Sequence, residues 1–131
     1  KILRREKMTL SLVFRIQAVV MAFFGLMMLI VPVYMMESFG VESSAMFAGV
    51  MQQLSIIVLG SAYVSWKMPT WVGDNIKAVG LFFVIVHVAA VLITFYHMSV
   101  GVFPFDATNI GGTVPDVVLA ILFLWKSRAD A

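Results

Sequence analysis

The chain reads as all-α: an integral membrane four-helix up-and-down bundle forming one transmembrane domain over residues 1–131. Three observations predict this: composition, four long apolar stretches, and the placement of charge. Of 131 residues, 62% are hydrophobic and 12% charged. Soluble domains run to about half apolar and about a quarter charged. Apolar stretches cover residues 10–36, 44–66, 75–98 and 113–127. About 20 residues at 1.5 Å each cross a hydrocarbon core of about 30 Å. The nine Lys and Arg lie near the N-terminus, between the second and third stretches, or at the C-terminal end. The other two connections carry Glu37, Glu42 and Asp106. The excess of cations on one side predicts a multi-pass protein with four crossings and both termini cytoplasmic. Trp66, Trp71 and Trp125 fall at that same interface and Tyr34 and Tyr96 at the opposite one, the pattern of aromatic belts.

Composition also excludes. With no cysteine, disulfides, thiolate metal sites and thiol nucleophiles are ruled out. The pI near 9.2 does not indicate nucleic acid, because the cations sit at the ends of apolar stretches and form no patch. The basic start at Lys1, Arg4, Arg5 and Lys7 resembles a secretory signal. The apolar run behind it is too long for one, and no small-residue cleavage site follows, so a first membrane helix with a cytoplasmic anchor is expected.

The first helix is expected over residues 10–36, with Thr9 or Ser11 as N-cap. Arg15 lies near its start and can snorkel to the headgroups. Pro32 kinks the helix or helps to end it. Ser43 or Ser44 caps the second helix, expected over 44–66. At 100° per residue, Ala45, Ala48, Gly49, Gln52, Gln53, Ser55, Gly60 and Tyr63 fall on one half of that helix. Small residues permit close helix approach and the amides can bond across the contact, so this half is expected to face protein, with Leu54, Ile57, Val58 and Val64 toward lipid. Pro69 and Gly73 break the chain before the third helix, residues 75–98. There Gly80, His87, Thr94 and Gly101, seven apart, share one stripe. Residues 99–113 are too polar to span and are expected at the membrane surface. The fourth helix, 113–127, begins with Thr113 as N-cap, Pro115 in the first turn and Asp116 three residues after the cap. It is short for a span.

His87, the one ionisable side chain deep in the third stretch, is the sharpest candidate. A neutral imidazole in an apolar bundle suits an axial ligand to haem or a chlorophyll-type pigment, or a hydrogen bond to a quinone carbonyl, with Thr94 on the same stripe. The simpler alternative is a histidine bonding Gln52, Gln53 or Ser55 across a helix interface. Met35, Met36, His97 and Met98 gather at the outer end, a soft set that suits Cu(I). Methionines more commonly fill gaps, so no metal site is expected. Asp116 suits a proton or cation site, but its capping position already accounts for it. Phosphate loops, zinc motifs, nucleophile elbows and paired membrane carboxylates are missing, so the expectation leans against an enzyme.

Arg15, Gly25, Pro32, the turn Phe39, Gly40 and Val41, then Gly60 and Trp66 give a layout that resembles small uncharacterised bacterial four-helix membrane proteins near the DoxX-like group. The resemblance covers about half the chain. It implies four membrane helices in a bacterial inner membrane and transfers no catalytic residue.

The leading functional expectation is a non-enzymatic accessory or structural subunit of a larger membrane complex. Its partners are membrane lipid and other membrane subunits or further copies of itself, with Ala45, Gly49, Gln52, Gln53, Gly60 and Gly80 as packing residues. The alternatives are a haem-, pigment- or quinone-binding protein using His87, and a small oligomeric transporter.

Overall fold

The computed structural model describes residues 9–129. Helix α1, Leu10–Ile30, starts where the Thr9 hydroxyl accepts from the Leu12 amide at 3.3 Å. It stops at Val31, whose backbone leaves the helical region (φ −130°, ψ 53°). Pro32 is the cause, since its ring disfavours helical geometry in the residue before it. Pro32 then opens a short α2, Pro32–Ser38. The single helix expected over 10–36 is therefore two. Gly40, at φ +73°, turns the chain where a Cβ would lie 2.6 Å from Pro104.

Helix α3, Ala45–Trp71, is capped by the expected Ser44 and runs five residues past its expected end. Pro69 does not break it. It sits in the last turn, where a missing amide costs one bond of the ladder, and the Thr70 hydroxyl donates to the Lys67 carbonyl beside it at 2.7 Å. The stop comes at Gly73, at φ +52°, in a tight 3₁₀ turn, Gly73–Asn75. Helix α4 follows, Ile76–Ser99.

The largest departure lies before the last helix. Residues 107–112 form a helix, α5 (Ala107–Gly112), capped by Asp106, which accepts from the Asn109 amide at 2.8 Å. Thr113 is itself helical, and its hydroxyl donates to the Ile110 carbonyl at 2.7 Å. It therefore does not cap α6, Val114–Arg128, and the expected capping box is absent. Stacked on α5, α6 becomes part of a 22-residue span, Ala107–Arg128, which resolves its apparent shortness.

The four spans are Leu10–Ile30, Ala45–Trp71, Gly73–Ser99 and Ala107–Arg128, each long and apolar enough to cross a membrane. The fold is all-α, a four-helix bundle of two pairs: α1 packs on α3, and α4 on α6. Leu10, Val13, Phe14, Leu119 and Phe123 join the pairs. Phe14 meets Phe123 edge-on at 4.8 Å and Phe83 at 5.6 Å. In lipid such contacts stabilise through dispersion and shape, since hydrocarbon surrounds the helices either way. Gly80 lets α4 and α6 close: a Cβ there would run into the Ser127 hydroxyl and reach Leu10 at 3.3 Å. The first and last helices therefore have their described terminal ends at the same end of the bundle.

Candidate functional site

Four side chains, one from each long helix, form a continuous polar line through the bundle. Asp116 Oδ1 (α6) lies 2.7 Å from His87 Nδ1 (α4). His87 Nε2 lies 3.2 Å from Gln17 Oε1 (α1). Gln17 Nε2 donates to the Ser65 hydroxyl (α3) at 2.8 Å. Counted along the helices from the end at Leu10 and Arg128, Ser65 and Gln17 sit about 10 Å in and His87 and Asp116 about 17 Å in. The line thus slants from the first third of the bundle toward its middle.

Packing fixes each member. Gln17 follows Val13 and Phe14 by one turn and shares their buried face, at 1% exposure. Ser65 is buried on the α3 face that also carries Ser55 and Ala62. The imidazole is stacked on Phe123 at 5.9 Å and 17°, with Phe83 at 6.3 Å. Asp116 is the accessible end, its side chain 35% exposed against 10% for His87. A buried polar atom in an apolar bundle is tolerated only when bonded, and each polar atom from His87 Nδ1 to Ser65 Oγ has a partner here.

This geometry corrects two expectations. The partners of His87 are Gln17 and Asp116, not Gln52, Gln53 or Ser55; Ser55 bonds the Gln52 carbonyl and Gln52 the Leu29 carbonyl. Asp116 serves His87 and not a capping box. Both ring nitrogens of His87 are engaged, so an iron, pigment magnesium or quinone at this ring would have to displace Gln17 or Asp116.

Thr94 lies elsewhere. It lines an apolar cavity of about 420 Å³ at the opposite end, among Met36, Phe39, Phe47, Met51, Leu54 and Phe103. Its hydroxyl donates to the Ala90 carbonyl at 2.9 Å. Met35, Met36 and Met98 are buried as packing residues, and His97 packs edge-on against Phe103 at 5.5 Å. Arg15 lies over the Trp66 ring at 5.5 Å.

Of the packing candidates, Gly80 is buried between α4 and α6. Ala45, Gln53 and Gly60 are on the surface of the single chain, as is most of Gln52. A Cβ at Gly49 or Gly60 would meet nothing within 4 Å. Inside the chain, α3 meets α1 through Val58, Leu59 and Ser65, with Gly25 of α1 close against Leu59.

Gln17 was the residue that sequence reasoning passed over. Its signal was available: a carboxamide one turn after Phe14 inside an apolar stretch is expensive in lipid without a partner. No known protein family, curated protein or solved structure matches this chain.

Proposed function

We propose that the chain is a non-catalytic subunit of a larger membrane assembly, docking other membrane chains through the outer face of α3. One observation carries the reading. Gln53, about 12 Å along α3 from its first residue, is exposed, and its carboxamide has no hydrogen-bond partner among the described residues. Moving an amide from water into a medium that cannot hydrogen-bond costs roughly 4–8 kcal/mol. A neighbouring chain that bonds Gln53 removes that cost. Gly49, Ile56 and Gly60 share its stripe, and the two glycines leave the backbone approachable. The self-contained line at His87 supports the same reading, because it fixes the bundle without offering a free ring nitrogen.

The orientation belongs to this proposal. Lys67, Lys77, Lys126 and Arg128 stand at the Leu10 end of the bundle, which is assigned to the cytoplasm of a bacterial inner membrane, in keeping with the DoxX-like layout. Single cysteines introduced at Glu42 and Ala129 test it, since the chain has none of its own. Labelling of Ala129→Cys from the outside would reverse the assignment.

The docking test compares co-purification from the native membrane. Gln53→Leu and Gly49→Leu each lower partner recovery about tenfold, the equivalent of 1–2 kcal/mol for an interhelical polar contact or close approach. Undiminished recovery in both variants would remove the α3 face from the account.

A further inference from the structure

The line from Asp116 to Ser65 closes within the protein, yet its hydrogens can run in two directions. At 2.7 Å, one hydrogen fits between His87 Nδ1 and Asp116 Oδ1. At 3.2 Å, one fits between His87 Nε2 and the Gln17 amide. In the first direction Gln17 turns its carbonyl to His87, so Nε2 carries a hydrogen. A second hydrogen lies between Nδ1 and Oδ1. The pair then holds two protons and is uncharged overall, as imidazole with carboxylic acid or as imidazolium with carboxylate. Gln17 donates to Ser65, whose own hydrogen is left to the Met21 sulfur at 3.8 Å.

In the second direction the Gln17 amide is turned over and its NH₂ faces Nε2. That nitrogen is now the acceptor, and the one imidazole hydrogen sits on Nδ1 and donates to the Asp116 carboxylate. Ser65 donates to the Gln17 carbonyl. The pair holds one proton and carries one negative charge. The backbone and the other side-chain atoms keep their places while the amide oxygen and nitrogen exchange theirs, because the two ends of an amide are near-identical in size and a hydroxyl both donates and accepts.

We propose that His87 and Asp116 form a reversible binding site for one proton at the middle of the bundle, with Gln17 and Ser65 as positioning residues whose bonds reverse when it leaves. Of the pair, Asp116 is the less buried member. This goes beyond the docking proposal and stands apart from it. The groups facing the pair are few. From α1 comes Gln17, while Arg15, two residues away, turns over Trp66. From α3 comes Ser65, and from α6 Phe123 beside Asp116. On α4 the nearest titratable residues are Tyr96, nine positions away, and Lys77 and His97, ten positions away on either side, about 14–15 Å along the axis.

The test is nitrogen NMR of the histidine-labelled full chain in lipid nanodiscs across pH, with His87 assigned from the signals lost in His87→Asn and helicity followed alongside. The expected result is one transition in which Nε2 changes from protonated to unprotonated while the Asp116 carboxyl carbon shifts at the same midpoint. Gln17→Met moves that midpoint by about one pH unit or more; a merely structural glutamine lowers thermal stability and leaves the midpoint in place, which would remove Gln17 from the site. Separate midpoints for His87 and Asp116, or an Nε2 that never changes while the protein stays helical, would overturn the proposal.

Discussion

Among single residues, the decisive one is a histidine with both ring nitrogens occupied. His87 stood out in the sequence because an imidazole deep in an apolar stretch demands a partner. Which partner was not legible. Gln52, Gln53 and Ser55 were nearest by helix count, but spacing along a chain says nothing about which helix lies opposite. Asp116 had a local explanation in the capping pattern of Thr113 and Pro115, and a local explanation hides a long-range one. The structure removes it by making Thr113 helical. The pairing has a measurable energy. In a double-mutant cycle of His87→Leu and Asp116→Leu, followed by thermal unfolding in detergent, a coupling of about 1–3 kcal/mol is expected. Additive effects would show that the 2.7 Å contact contributes nothing to stability.

Among the helices, existence was read well and ends were read poorly, each for a physical reason. Thr9 and Ser44 cap their helices, each one of the two candidates expected, because a hydroxyl at a helix start can accept from an amide three residues on. Pro32 and Pro69 behave differently because of where each falls along its helix. Pro32 has helix on both sides and forces Val31 out of it, whereas Pro69 falls in the last turn, where little ladder remains to break. The connection at 107–112 was hidden because two glycines and an asparagine are poor helix formers. Asp106 as a cap and stacking on α6 offset that. The stripe Gly80, His87, Thr94 shows both sides of periodicity. Gly80 and His87 do face the bundle, while Thr94, further along, meets the cavity where the helix pairs part. Gly80→Val is expected to destabilise the α4–α6 pair by about 1–3 kcal/mol, the range for overpacking a filled contact. A melting temperature within error of the parent chain would mean that the two helices do not need the close approach.

For the whole molecule, two helix pairs are held together by an aromatic cluster and one polar line, and the outer surface is left apolar. Composition made the membrane setting legible, and the run of charge made four crossings legible. Which face of α3 packs within the chain was not, because a sequence shows that a helix has two unlike halves without showing which half its own chain uses. On α3 the chain uses Val58, Leu59 and Ser65, and it leaves Gly49, Gln53 and Gly60 outside. The proposed assembly rests on that leftover face. The most direct test is the mass of the wild-type protein gently extracted from its native membrane, with every co-purifying chain identified. The account predicts an assembly well above the 14.5 kDa of one chain, with other membrane proteins in fixed ratio. A single chain carrying only lipid and detergent would contradict it.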